Sequence, residues 1–135
     1  MIARYRAWHR ELGRMMLLKN MWFQDGFVEE LELNDTVMND YITAYPDEIE
    51  LMQSTSLRDM NNREIFEGDI ISDGHTSRDI RHHQALGFYT IDDNGVEEFF
   101  GDTASLEDFE EVSKYMSENI EIIGNIYENK ELLDA

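Results

Sequence analysis

Apolar and polar residues alternate along much of the first 50 residues, a pattern typical of strands with one buried face. Arg4–Trp8 alternates in this way, and the apolar stretch Arg14–Phe23 follows it. Asp25-Gly26, a pair preferred in tight hairpin turns, separates that stretch from the alternating stretch Phe27–Leu33. These residues predict a β-rich N-terminal region that includes one long hairpin.

Polar stretches divide the middle of the chain. Asn34–Pro46 and Gly74–Arg81 are polar, and we expect irregular loops there. Glu48–Gln53 is predicted as a short strand, and Arg58–Glu64 as a polar turn that contains two asparagines. The turns and short segments suggest antiparallel pairing between neighbouring strands.

A second hairpin is predicted around Asn94-Gly95, the pair preferred in type I′ turns. Its arms are the apolar stretches Ala85–Ile91 and Val96–Phe100. Near the C-terminus, Ile120–Tyr127 is predicted as a last strand, interrupted by Gly124.

The stretch Ala104–Ser117 has the periodicity of a helix. Its apolar residues recur every three or four positions and form one stripe. They are Leu106, Phe109, Val112 and Met116. Ser105 is predicted to cap the helix together with Asp108. Short antiparallel strands followed by one helix and a strand predict a mainly β chain of the α+β class, built as a small barrel.

Composition excludes several classes of protein. The 135 residues include 30 Asp and Glu but 11 Lys and Arg, for a formal net charge of -19. Such a balance argues against direct binding of nucleic acid, which needs clustered cations. There is no cysteine, hence no disulfide, thiolate zinc site or cysteine nucleophile. No apolar run approaches the roughly 18 residues of a membrane helix, so we expect a soluble, cytoplasmic protein that does not act at a membrane.

The charge is unevenly distributed. Residues 1–19 contain five basic residues and one acidic residue, whereas residues 20–56 contain nine acidic residues and no Lys or Arg. We expect the basic N-terminal residues to pair with acidic groups of the same chain or of another subunit.

Three stretches of the chain carry a family resemblance. They are Arg4–Trp8, residues 51–59 (LMQSTSLRD) with 64–71 (EIFEGDII), and residues 122–129 (IIGNIYEN) with Glu131-Leu132-Leu133. Together they resemble the YopX family of phage and prophage proteins. Four positions depart from the family pattern: Ser54 stands where an aromatic residue is usual, Ser56 and Asn62 where glycine is usual, and Lys130 where proline is usual. Asn62 tolerates a positive φ more readily than Ser56, so the loop at Ser56 is expected to differ.

The resemblance implies a C-terminal SH3-like small β-barrel over residues 50–135, preceded by a β-rich region over residues 1–49 that packs on it. It also implies a phage or prophage gene product that acts inside a bacterial cell. It implies no activity and no site residues. In the shared motifs, Gly68 and Gly124 are interpreted as turn or close-packing positions.

Motifs for catalysis and metal binding are missing from the sequence. It contains no G-x-S-x-G, S-x-x-K, P-loop or H-E-x-x-H pattern. His75, His82 and His83 lie near Asp73 and Asp79 and could in principle bind zinc. Neighbouring residues of a strand point to opposite faces, so we interpret this segment as a solvated loop. We predict no catalytic residue, no cofactor and no metal site.

Two functional hypotheses remain. The first is a non-catalytic module for protein interaction or self-assembly, with a homo-oligomer expected and a host or phage protein as a possible partner. It is suggested by the aromatic residues Trp8, Trp22, Phe23, Phe27, Phe88, Phe99 and Phe100. The alternative is an acidic DNA mimic that occupies a host DNA-binding protein. It requires the acidic residues of 20–56 and 92–121 to gather on one surface.

Overall fold

A computed structural model describes the backbone of residues 4–100 and 106–133. It describes the side chains of residues 4–100 and 109–133. The described part of the chain is mainly β, with a single α-helix. Its strands are β1 (Tyr5–His9), β2 (Arg14–Gln24), β3 (Phe27–Asp35), β4 (Asp40–Ala44), β5 (Ile49–Arg58), β6 (Glu64–Phe66), β7 (Asp69–Ser72), β8 (Ser77–Asp79), β9 (Arg81–His83), β10 (Gly87–Ile91), β11 (Glu97–Phe99) and β12 (Glu121–Asn125). The helix is α1 (Leu106–Asn119), and short 3-10 turns span Pro46–Glu48 and Lys130–Leu133.

The chain divides into two compact units, residues 1–53 and 54–135. The predicted division into a region over residues 1–49 and a domain over residues 50–135 stays a prediction.

The first unit is an antiparallel sheet in the order β4-β3-β2-β1-β5. Its buried core consists of small and aliphatic side chains that alternate along the strands. They are Ala7, Met16, Leu31, Leu33, Ala44 and Ile49. β1 lies inside the sheet because its residues pair with β2 on one side and with β5 on the other.

The prediction of an irregular segment at Asn34–Pro46 is wrong. β3 continues to Asp35, and β4 pairs back on it with Ile42 opposite Leu33 and Ala44 opposite Leu31. β4 escapes detection because its inward face consists of Ile42 and Ala44 alone, too short a pattern to recognise in a polar stretch.

In the second unit, the strands form open three-stranded sheets in the orders β12-β7-β8 and β11-β10-β9, and β5 pairs with β6. The core is formed by aliphatic residues of the strands and by the helix, with Met116 and Ile120 buried and Phe109 and Val112 packed against them. The apolar stripe predicted for the helix is confirmed at Phe109, Val112 and Met116. The predicted cap at Ser105 and Asp108 lies outside the residues whose side chains are described. The SH3-like barrel is not confirmed.

Two further predictions in this unit need correction. Gly74–Arg81 is not a loop throughout, because Ser77–Asp79 forms β8 and β9 begins at Arg81. Both strands are polar and short, so neither shows apolar alternation. The hairpin at Asn94-Gly95 is present, but its turn is not type I′. Gly95 has φ 80° whereas Asn94 keeps a negative φ, and the Gly95 N–H donates to the carbonyl of Asp92.

Candidate functional site: an aromatic ribbon and an acidic cavity

The β2–β3 hairpin extends as a two-stranded ribbon, residues 20–30, beyond the rest of its sheet. Asp25 and Gly26 both adopt left-handed φ values, 53° and 83°, as a type I′ turn requires. β1 pairs with β2 only at residues 14–17, and β4 pairs with β3 only at residues 31–35. In the described part of the chain, the outer edges of the ribbon therefore have no strand beside them.

The ribbon exposes large aromatic side chains. Trp22 is 46 % exposed, Phe23 63 % and Phe27 78 %. Directly opposed residues of an antiparallel pair share a face, and Met21 opposes Leu31 while Phe23 opposes Val28. Leu31 is buried and Met21 and Val28 pack against the same core. The apolar face of the sheet thus continues along the ribbon and ends at the exposed ring of Phe23.

Carboxylates alternate with these rings along the ribbon and the strand that follows it. Asp25, Glu29 and Glu30 lie within the ribbon, and Glu32 follows it. Lys19 lies 3.7 Å from Glu32 and places its ammonium 3.9 Å from the ring centre of Tyr41. The ribbon therefore combines an apolar surface with net negative charge.

The basic residues near the N-terminus pair within the first unit. Arg10 lies 2.5 Å from a carboxylate oxygen of Glu50 and also donates to the carbonyl of Asp47. Arg14 lies 2.6 Å from Asp35, whose side chain is buried. The sequence predicted that these basic residues pair either within the chain or with another subunit. For Arg10 and Arg14 the structure shows pairing within the chain.

A cavity of about 620 Å³ lies within the second unit, between β7–β8, β10–β11 and the helix. One part of its wall belongs to the core and includes Ile71, Val112 and Met116. Phe99, Phe100 and Tyr115 add aromatic surface. This volume lies in the range of pockets that hold small ligands or single side chains of a partner.

Charged groups also line this cavity: the carboxylates Asp73, Glu98 and Glu111 and the guanidinium of Arg78. Arg78 donates to Glu98 at 2.8 Å. The backbone N–H groups of Thr76 and His75 hold the pKa of Asp73 below its ordinary value, so this carboxylate is ionised at neutral pH. The lining carries three carboxylates against one cation.

Polar groups with unused hydrogen-bonding capacity complete the wall. Thr90 is 5 % exposed, and no described residue forms a hydrogen bond with its hydroxyl. The Nε of Arg78 is buried and has no hydrogen-bond partner among the described residues. Neither residue is recognisable from the sequence, because each lies in a short strand without a motif. The one sequence feature that could have indicated this site is the run Glu98-Phe99-Phe100, which combines an acidic residue with two aromatic residues.

The histidines considered as zinc ligands each have local contacts. His75 lies in a turn where its N–H donates to Asp73. The ring of His82 packs 4.5 Å from that of Phe88. The Nδ1 of His83 accepts the backbone N–H groups of Ala85 and Leu86. Within the described residues, no three histidine or acidic side chains are grouped to hold a metal ion.

The aromatic residues singled out in the sequence separate into different environments. Phe88 and Phe100 pack against the core of the second unit. Phe99 lines the cavity and lies 4.9 Å from the ring of Tyr89. Trp22, Phe23 and Phe27 belong to the exposed ribbon. Core packing thus accounts for only some of them.

None of the helices in residues 4–100 and 106–133 has the length and hydrophobicity needed to span a bilayer.

Comparison with known proteins identifies the fold and the family. The crystal structure of protein EF1440 from Enterococcus faecalis is similar over 98 % of this chain and 99 % of that one, with a TM-score of 0.62 and 23 % sequence identity. At that identity the likeness shows the fold alone. No curated protein matches the chain. The YopX protein family matches residues 4–134. The chain therefore belongs to the YopX protein family.

Proposed function

We propose that the protein is a non-catalytic interaction module that associates with a second copy of itself through the ribbon. The observation that carries this proposal is the exposure of Trp22, Phe23 and Phe27 on a ribbon whose outer edges pair with no strand of the described residues. An isolated two-stranded hairpin is only marginally stable in water. A free strand edge with apolar side chains also offers a template for another chain. Phe23 shares one face of the ribbon with Val28, and Trp22 and Phe27 share the other. A second copy that pairs along the ribbon edge would cover rings on both faces and satisfy both requirements.

The charge of the ribbon sets the salt dependence of such an association. Two copies bring Asp25, Glu29 and Glu30 of each chain together, so electrostatic repulsion opposes the apolar contact. Salt screens exposed charges over about 8 Å at physiological ionic strength. Self-association through the ribbon is therefore expected to strengthen as salt is added, whereas binding of a basic partner would weaken.

This proposal assigns no chemical step to any residue and requires no cofactor. Following the resemblance, it places the protein among phage or prophage products that act in the cytoplasm of a bacterial host.

The proposal is tested by light scattering coupled to size-exclusion chromatography. The double variant Phe23→Ser/Phe27→Ser removes two exposed rings of the ribbon. Its matched control, Leu86→Ser/Val96→Ser, removes two side chains of the second unit that are also exposed, at 61 % and 56 %. The wild type and the control are expected to exceed the monomer mass at high micromolar concentration, and the ribbon variant to return to it.

Three results would overturn the proposal. One is a wild-type monomer mass at all concentrations and salt levels. Another is dissociation by the control variant as well. The third is an oligomer that the ribbon variant leaves unchanged.

The alternative predicted from the charge, a DNA mimic, is not favoured by the structure. Glu32, Asp35 and Glu50 of the acidic segment 20–56 face cations of their own unit. That hypothesis stays a prediction.

A further inference from the structure

The cavity of the second unit contains polar groups that the fold itself does not use. Thr90 is 5 % exposed and lines the cavity, and no described residue forms a hydrogen bond with its hydroxyl. The Arg78 Nε is buried and carries an N–H that has no acceptor among the described residues. A buried donor without an acceptor costs free energy, on the order of 1–3 kcal/mol. A ligand that supplies a carbonyl oxygen would recover this cost.

The other polar groups of the lining select for positive charge. Asp73, Glu98 and Glu111 outnumber Arg78, and Glu98 already faces that guanidinium at 2.8 Å. An anionic ligand would meet more repulsion than attraction. A cation would be held by Glu111, which forms no ion pair with a described residue, and by the second oxygen of Asp73, whose first oxygen accepts the N–H groups of His75 and Thr76.

The aromatic part of the wall favours a cation with an apolar stem. Phe99 and Tyr115 present ring surface to the cavity. A guanidinium or ammonium group gains from contact with an aromatic face, and the methylene chain of arginine or lysine packs against apolar surface. A bare metal ion fits less well, since the carboxylates do not converge as a group of three among the described residues.

We infer that this cavity is a binding site for a basic peptide segment, with an arginine or lysine side chain among its carboxylates and a peptide carbonyl at Arg78 and Thr90. A peptide supplies both groups: its backbone carbonyl can accept from the unused donors, and its cationic side chain can contact the acidic lining. The inference is independent of the ribbon, which belongs to the first unit.

The test is calorimetric or NMR titration of the full chain with three blocked tripeptides, in which glycines flank a central arginine, norleucine or glutamate. The arginine peptide is expected to bind at millimolar concentration or below and to weaken as salt is added. The norleucine peptide is expected to bind at least about threefold more weakly, since it keeps the stem but lacks the charge. The glutamate peptide is expected not to bind.

A matched pair of helix variants locates the site. Glu111→Gln removes one carboxylate from the lining, and because Glu111 is exposed it is expected to weaken binding of the arginine peptide by about three- to fivefold. Glu110→Gln changes the net charge equally at an exposed position that does not line the cavity. It is expected to leave the affinity within about twofold, since a more distant exposed charge is largely screened.

Thr90→Val tests the carbonyl contact, because it keeps the shape of the side chain and removes the hydroxyl. It is expected to weaken the arginine and norleucine peptides by a similar factor, and Thr90→Ser is expected to restore binding. The inference fails if the arginine and norleucine peptides bind equally, if Glu110→Gln and Glu111→Gln have the same effect, or if no peptide binds to a protein whose thermal unfolding is unchanged.

Discussion

A carboxylate oxygen of Asp59 accepts the backbone N–H of Ile122 at 2.9 Å, across 63 residues of the chain. The other oxygen accepts the N–H groups of Asn61 and Arg63 at 3.0 and 2.9 Å. Arg63 also donates from its guanidinium to Asp59 and to the carbonyl of Ile122. Asp59 is buried. One carboxylate thus fastens the turn after β5 to strand β12.

Replacing Asp59 by asparagine is expected to destabilise the second unit. The amide oxygen of Asn can still accept the N–H groups within the turn, but its NH2 group would face the N–H of Ile122, donor against donor. Losing a buried, charge-assisted acceptor costs about 2–3 kcal/mol. Chemical denaturation of Asp59→Asn, followed by circular dichroism, measures the expected loss.

Asp93→Asn serves as the control for this variant. Asp93 is exposed in the β10–β11 turn, and the same substitution there removes the same charge. It is expected to change the free energy of unfolding by no more than about 0.5 kcal/mol. Equal losses from both variants would show that net charge, and not the contact to Ile122, is responsible.

The stability of the protein is expected to fall at acidic pH partly through Asp59. Burial raises the pKa of this carboxyl, but the N–H groups of Ile122, Arg63 and Asn61 and the charge of Arg63 together hold the pKa below its ordinary value of 3.8. The stabilisation by ionised Asp59 is therefore complete above the pKa of the unfolded chain and is lost as pH falls through the folded value.

The measurement compares the wild type with Asp59→Asn along an acid titration. The difference between their free energies of unfolding is expected to be constant from neutral pH to about pH 5. Below pH 4 it should narrow, because Asp59 becomes protonated in the wild type. A difference that persists unchanged through this range would contradict the role assigned to the ionised carboxylate.

The features of this fold that the sequence predicted correctly are those determined by residues close together in the chain. Asp25-Gly26 and the helical stripe at Phe109, Val112 and Met116 are recognisable because turn conformation and helical period depend on residues close in the chain. The contact between Asp59 and Ile122 has no such signature, since only the folded chain brings a polar turn to a distant strand. Strand β4 was missed for the related reason that its pairing with β3, and not its own pattern, makes it a strand.

The candidate sites were less predictable than the fold. Trp22, Phe23 and Phe27 could be named from the sequence, but whether each ring lies in the core depends on where neighbouring strands end. Thr90 and Arg78 could not be recognised as site residues at all. Their unused hydrogen-bonding capacity is a property of the assembled wall and leaves no trace in residue spacing.

Ser56 stands where the family resemblance implies a glycine, and its backbone has a conformation that favours glycine. Its φ is 65°, in the left-handed region that non-glycine residues adopt at a cost of about 1–2 kcal/mol. Glycine removes this strain, but its greater backbone entropy in the unfolded chain offsets about 0.5–1 kcal/mol of the gain in stability. Ser56→Gly is therefore expected to stabilise the protein by about 0.5 kcal/mol, measured as a higher denaturation midpoint.

Asn62→Gly provides the comparison, because Asn62 has nearly the same φ, 62°. Asparagine tolerates the left-handed region better than serine, so this substitution is expected to bring less gain or none. If Asn62→Gly stabilised the protein more than Ser56→Gly, backbone strain would not explain the difference between the two positions.

Position 124 requires glycine because of close packing and not because of its backbone conformation. A Cβ built at this position would lie 2.6 Å from Oδ1 of Asn129 and 2.7 Å from its Cβ. Asn129 is held there because its Oδ1 accepts the N–H of Asn125 and its own N–H donates to the carbonyl of Asn125. Gly124→Ala is therefore expected to lower the free energy of unfolding by about 2 kcal/mol.

A double-mutant cycle with Asn129→Gly separates this clash from a general preference for glycine in the bulge of β12. Asn129→Gly removes the side chain that the new methyl group would meet. If the clash is the cause, Gly124→Ala should cost at least about 1 kcal/mol less in the Asn129→Gly background than in the wild type, since contacting residues are energetically coupled. Equal costs in both backgrounds would place the requirement for Gly124 in its backbone, against the close contact that the structure shows.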